Sequence, residues 1–186
     1  ITEKDSARFL VHNMLRNLGD YYKELGIETV VRINGLDTEF WKEDLAAIVT
    51  GGVEVVRIPK TETVEDVMTV DREIEKIEKA CGREIGSTKI MVAIESALGV
   101  MHSFDIAKSP TKRLIGMALS GEDFVTSMKT TRTPEGDELY VARGMIAMAG
   151  RACGLEVLDT VYSDVNNDEG FLKEANLIKR MGYGGK

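Results

Sequence analysis

The chain has 186 residues, 43% hydrophobic and 30% charged, with a formal net charge of −7 and a pI of about 5.0. That length suits a single domain over residues 1–186 with a core of its own, and the acidic balance excludes a general phosphate-backbone binder, which needs basic patches. No apolar run approaches the roughly 20 residues of a membrane span and no signal peptide is visible, so a cytoplasmic protein with no nucleic acid and no membrane partner is expected.

Residues 2–18 read as an amphipathic helix, with Thr2 and Asp5 as a capping box. Its apolar face is Ala7, Leu10, Val11, Met14, Leu15 and Leu18, and Gly19 is the expected stop. "ETVVRING" (28–35) reads as a short strand, "FWKEDLAAIVTGG" (40–52) as a helix closed by two glycines, and "VEVVRIPK" (53–60) as the next strand. A long helix is expected over 63–81, opened by Thr63 and Asp66 and buried through Val64, Val67, Ile74 and Ile77. "KIMVAIES" (89–96) is a strand, followed by a helix near 97–108, and "RLIGMALS" (113–120) is another strand. After a polar loop, 137–153 is helical with Gly154 as terminator; "LEVLDTVYSD" (155–164) is a strand, and 168–181 is a helix opened by Asn167. Cys81 and Cys153 read as reduced, packed thiols, since no CxxC occurs. Met91, Met117, Met145 and Met148 read as core filler.

Helices therefore alternate with five strands, and the strands are continuous apolar runs. Parallel strands covered on both faces have that pattern. An open doubly wound sheet and a (β/α)8 barrel both satisfy it, and both bind ligands at the carboxyl ends of their strands. No strand end carries GxGxxG or GxxxxGK[ST], and "MGYGGK" follows a helix.

The strand ends collect charge: Arg32 and Asn34; Arg57 and Lys60; Glu95 and Ser96; Glu122 and Asp123; Tyr162, Ser163 and Asp164. Two carboxylates at neighbouring strand ends can share one hard divalent cation, because Mg²⁺ takes one or two protein carboxylates and leaves its other positions to water and substrate. Such an ion can act as a Lewis acid on a keto acid, with Arg32 beside it to stabilise developing negative charge. The plain structural alternative is that Glu95 forms a buried ion pair with Arg32 or Lys60. Likewise Lys129 and Arg132 could meet phosphates or belong to a solvated loop, Asp159 could cap a strand end or contact ligand, and His12 and His102 read as incidental helix residues.

Six segments carry a family resemblance: "VVRINGLDT", "RIPKTE", "KIMVAIESALGV", "LSGEDF", "TRTPEGDELYVAR" and "LDTVYSDVNNDEGFLKEANLIKRMGYGGK". Together they resemble the citrate lyase beta subunits, the citryl-thioester lyase branch of the HpcH/HpaI aldolase superfamily. The resemblance runs over essentially the whole chain. It implies a (β/α)8 TIM barrel, about five strands of which are present, and a Mg²⁺-dependent carbon–carbon lyase. That lyase cleaves a citryl thioester, on acyl carrier protein or CoA, to oxaloacetate and an acetyl thioester. By the same resemblance, Arg32 is a catalytic and substrate-binding residue, and Glu95 is a catalytic residue that binds both Mg²⁺ and substrate. Asp123 completes the metal ligands, Glu122 is its structural neighbour, and Lys60 lines the same mouth. The implied partners are the citrate lyase alpha and acyl-carrier subunits, in an oligomer. Within the same superfamily the alternatives are a malyl- or citramalyl-CoA lyase or thioesterase. The family's barrels carry two strands before the first one here and an eighth after the last. The chain is accordingly expected to be a fragment, or else a truncated barrel acting as a docking subunit.

Overall fold

The computed structural model describes residues 3–186. Five strands, β1 (Val30–Arg32), β2 (Val55–Ile58), β3 (Lys89–Ile94), β4 (Leu114–Leu119) and β5 (Glu156–Leu158), form one parallel sheet in the order β1-β2-β3-β4-β5. That order settles the architecture. A doubly wound sheet reverses direction at a switch point, whereas a sheet that adds each new strand on the same side is the wall of a barrel. The wall continues past β5: Gly185 bridges Leu158 in parallel, Gly184 N–H donates to the Val157 carbonyl at 2.9 Å, and Asp159 N–H donates to the Gly185 carbonyl at 2.9 Å.

The helices are α1 (Lys4–Glu24), α2 (Trp41–Gly51), α3 (Val64–Cys81), α4 (Ala97–Met101), α5 (Ser103–Ala107), α6 (Gly121–Ser127), α7 (Tyr140–Ala152) and α8 (Asp168–Arg180). They cover one face of the sheet. The main core joins Val56, Ile58, Ile90, Val92, Ile94, Met117, Leu119 and Val157 of the strands to Leu45, Val67, Ile74 and Ile146 of the helices. Because side chains alternate along a strand, the remaining positions face the other way. There Val55, Met91 and Ala118 form a separate small cluster with Ile115 and Leu158. A bulge at Ile115 brings Met91 opposite Gly116, so β3 and β4 present the same phase to that inner face.

Several expectations are corrected. The first helix does not stop at Gly19, because one internal glycine costs a helix only about 1 kcal/mol. The stop is Gly26, whose positive φ of 71° lets Ile27 N–H bond back to the Tyr22 carbonyl. Thr2 of the expected capping box lies outside the described residues; Glu3 is the N-cap and makes no side-chain cap bond. On α1's apolar face only Leu15 is buried; Val11 and Met14 pack partly against the core, while Leu10 and Leu18 are exposed. The helix expected near 97–108 is two short ones broken at His102. The polar loop after β4 opens as α6, too short to declare a helical period. The strand expected over 155–164 is three residues long. Met148 and Cys81 are exposed rather than packed; both thiols are free.

Helix α3 starts where expected. Thr63 accepts from Asp66 N–H, and the Asp66 carboxylate accepts from Thr63 N–H, a complete capping box. Thr63→Ala should cost about 1 kcal/mol, read as a lowered urea midpoint at unchanged slope.

Two buried charge networks hold the scaffold. Arg113 donates to both oxygens of Glu78, at 3.0 and 2.6 Å, and sits 3.0 Å from Asp71. The Glu78 side chain also accepts from the amides of Gly86 and Thr88, both at 2.8 Å. Near β5, Arg143 of α7 forms a two-point pair with Asp159, 2.9 Å at each contact, and pairs with Glu174 of α8. Lys186 joins the same carboxylates at 2.8 Å each. Asp159, left open between structure and ligand by its sequence, is therefore a structural anchor.

Candidate functional site

The inner face of the sheet rises to a cluster of charge at the carboxyl ends of β1–β4. Glu95 follows β3 directly and is only 7% exposed. Among the described residues its carboxylate makes no ion pair; its side-chain partner is Ser120, whose Oγ donates at 3.3 Å. Burial pushes the Glu95 carboxyl above its ordinary range, and the charge of Asp123 pushes the same way. The Lys60 backbone amide, Ser120 and the charge of Arg32 oppose both. The ion pair that would have made Glu95 purely structural is thus absent: neither Arg32 nor Lys60 closes on it.

Asp123 stands in the first turn of α6, on the strand end next to Glu95's. It is exposed, with no hydrogen bond or ion pair among the described residues. A buried carboxylate whose ionisation is made costlier by the charge of a second, unpartnered one makes with it a donor set that a hard divalent cation suits. No third His, Cys, Asp or Glu joins them among the described residues. Mg²⁺, which keeps several waters, needs no third protein ligand.

Arg32 ends β1, exposed and without a hydrogen bond or ion pair among the described residues. Its strand end is anchored from behind. Asp44 of α2 accepts from Asn34 N–H at 2.9 Å and from Arg8 Nε at 2.8 Å, and Lys4 Nζ donates to Asn34 Oδ1 at 2.8 Å.

Lys60 differs from expectation. Its backbone has a positive φ of 50°, and its ammonium turns away to Asp37 at 3.4 Å. Only its amide reaches Glu95.

Glu122 is separate from Asp123 in role: it accepts from Ser163 Oγ at 2.7 Å and from Arg132 Nη1 at 3.2 Å, tying α6 to the segment after β5. Arg132 also pairs with Glu138 at 3.1 Å, so it serves that tie rather than a phosphate. His12 Nδ1 lies 2.8 Å from the Ala47 carbonyl, and His102 Nδ1 lies 2.9 Å from the Glu62 carbonyl. Both are structural.

Two residues of the cluster carry no role from the sequence: Ser120 is not singled out there, and Arg57 stands only among the strand-end charges. Ser120 bridges the site. Arg57, in β2, reaches Ser120 Oγ through Nη2 at 3.3 Å. Its Nε is buried without a partner. Burial pushes the Arg57 guanidinium below its ordinary range; Glu95 opposes this and Arg32 adds to it. Arg57 stood inside "VEVVRIPK", where an unbroken apolar run hides which positions face inward. Its separation of two residues from Val55 is the signal, readable only once Val55's face is known.

The model of one family, HpcH/HpaI aldolase/citrate lyase, matches residues 1–186. The citrate lyase subunit beta of Haemophilus influenzae is 56% identical over all 186 residues, which cover 62% of that protein. The Escherichia coli K12 citrate lyase subunit beta is 50% identical, again over the whole chain and 60% of its own length. The chain thus spans about three fifths of the curated relatives it matches. Among solved structures, a citrate lyase beta subunit from M. tuberculosis, complexed with oxaloacetate and magnesium, superposes with a TM-score of 0.66 at 26% identity, covering 83% of this chain and 64% of that one.

Proposed function

The chain belongs to the HpcH/HpaI aldolase/citrate lyase family, and from that premise we propose that it is the core of a Mg²⁺-dependent citryl-thioester lyase. It is read as a single partial TIM-barrel domain that works in the cytoplasm, in an oligomer with alpha and acyl-carrier subunits. The observation that carries the proposal is the pairing, at adjacent strand ends, of buried Glu95 with Asp123, beside the guanidinia of Arg32 and Arg57; among the described residues Asp123, Arg32 and Arg57 form no ion pair.

In this reading Glu95 and Asp123 hold Mg²⁺, which supplies Lewis-acid polarisation where the keto acid forms. Ser120 orients the Glu95 carboxylate through its 3.3 Å hydrogen bond. Arg32 binds a substrate carboxylate and places the carbinol carbon over the carboxylate pair. Cleavage breaks the bond between that carbon and the methylene carbon of the thioester. The hydroxyl proton leaves to a base, the carbonyl of oxaloacetate forms, and the bonding electrons pass to the thioester as an enolate that is then protonated. Arg32 stabilises negative charge as it develops, the point at which binding energy accelerates the reaction. Lys60 contributes its backbone amide rather than its ammonium to the Glu95 side of the site.

The test is oxaloacetate release from citryl-ACP and citryl-CoA, followed by its coupled reduction to malate, with alpha and acyl-carrier subunits supplied. Turnover that stops on chelation and returns with Mg²⁺ is expected. Asp123→Asn should raise the Mg²⁺ concentration needed for half-maximal rate by about tenfold or more. Release of glyoxylate from malyl-CoA, or of pyruvate from citramalyl-CoA, but no oxaloacetate from either citryl thioester would move the assignment to the malyl- and citramalyl-CoA enzymes. No turnover and no Mg²⁺ binding would leave a docking role.

A further inference from the structure

Arg32 and Arg57 are register partners on adjacent parallel strands. Register partners leave a sheet on the same face, about 5 Å apart, so two guanidinium side chains rise side by side from the inner face toward the site. No carboxylate closes an ion pair with either among the described residues. Ser120 Oγ stands between Arg57 and Glu95, taking 3.3 Å hydrogen bonds on both sides. Arg57 Nε remains buried without a partner. If Glu95 and Asp123 are committed to a cation, both arginines lack a protein counter-ion, and each has donors to spare. A guanidinium in that position recognises a carboxylate.

We propose that Arg57 binds a second carboxylate of the substrate, beside the one held by Arg32. The site thereby selects thioesters of hydroxy acids that keep two free carboxylates over those that keep one. The inference rests on the metal-and-substrate reading of this site and adds its specificity. A citryl thioester has two free carboxylates; a malyl thioester has one.

The test is calorimetric titration of the chain, in the presence of Mg²⁺, with oxaloacetate, which has two carboxylates, and with pyruvate, which has one. Arg57→Met should weaken oxaloacetate at least about tenfold and leave pyruvate within about threefold. Arg57→Lys, which keeps the charge without the fork, should fall between. Equal weakening of both ligands, or no change in either, at an unaltered thermal midpoint overturns the proposal. So does Ser120→Ala reproducing the full Arg57→Met pattern, because Arg57 would then act only by steadying Ser120. Wild-type chain that binds neither keto acid overturns the underlying reading of the site. Wild-type binding with unchanged selectivity in Arg57→Met overturns only this inference.

Discussion

Glu95→Gln is expected to lower Mg²⁺-dependent cleavage by about 10³-fold or more, the scale of losing a metal ligand together with its electrostatic contribution. The fold should be untouched. The amide keeps the shape of the carboxylate and can still accept from Ser120 Oγ. Burial and the neighbouring Asp123 already make the ionised form costly. Removing that charge should leave the thermal midpoint of the metal-free chain unchanged or higher. The combination is diagnostic: a residue that only held the scaffold would lose stability with activity, and this one should lose activity alone. Near-normal turnover in Glu95→Gln would end its assignment as a metal ligand.

The largest stability effect is expected far from the site, at Glu78. Its side chain is fully buried against Arg113. Burial by itself would raise the carboxyl; the Arg113 hydrogen bonds and the Thr88 and Gly86 amides reverse that and hold it at about 2 against an ordinary 4.5. Glu78→Ala leaves the Arg113 guanidinium buried beside only Asp71, and should cost roughly 3–5 kcal/mol in denaturant unfolding. Glu78→Leu combined with Arg113→Met should recover part of the loss, since the two fully enclosed charges go together and only Asp71, which is partly exposed and still accepts from Thr111 Oγ1, loses its cation. The pH dependence follows the same pair. A carboxyl whose folded value lies below its unfolded one adds stability that is fully present above about 4.5 and lost as pH falls toward about 2. The shift corresponds to on the order of 3 kcal/mol. Glu78→Gln should therefore flatten the acid limb of stability against pH across that window. An unchanged acid limb would mean that Glu78 is not the group that titrates there.

Much of this protein was legible in its residues. The alternation of helical periods with apolar runs announced parallel strands. Thr63 with Asp66, Gly52 and Asn167 marked helix ends where the structure has them. These signals are local: a cap or a left-handed glycine acts within a few residues, so it survives in one dimension. The helix end at Gly26 was missed because Gly19 offered the same local signal, and the contacts of the following turn decided between them. The α6 helix was missed because seven residues cannot establish a period.

The carboxylates Glu95 and Asp123 were also visible, as acids closing apolar runs. Their sequence positions alone left Glu95 open to an ion pair with Arg32 or Lys60, because reach across neighbouring strand ends depends on backbone direction. The left-handed turn at Lys60 sends its ammonium to Asp37 and offers only the amide. Asp159 and Arg143 lie 16 residues apart, and only the packing of α7 and α8 beside β5 makes them an enclosed pair.

By itself, then, the sequence determined the alternating α/β plan, the strand ends that carry charge, and the family. Those follow from residue type and short-range periodicity. The tertiary structure alone decided strand order, which face each strand residue occupies, and which charges meet. Each of those depends on register between strands far apart in the chain, and a shift of one residue would send Arg57 to the helical side of the sheet and away from Arg32, Ser120 and Glu95.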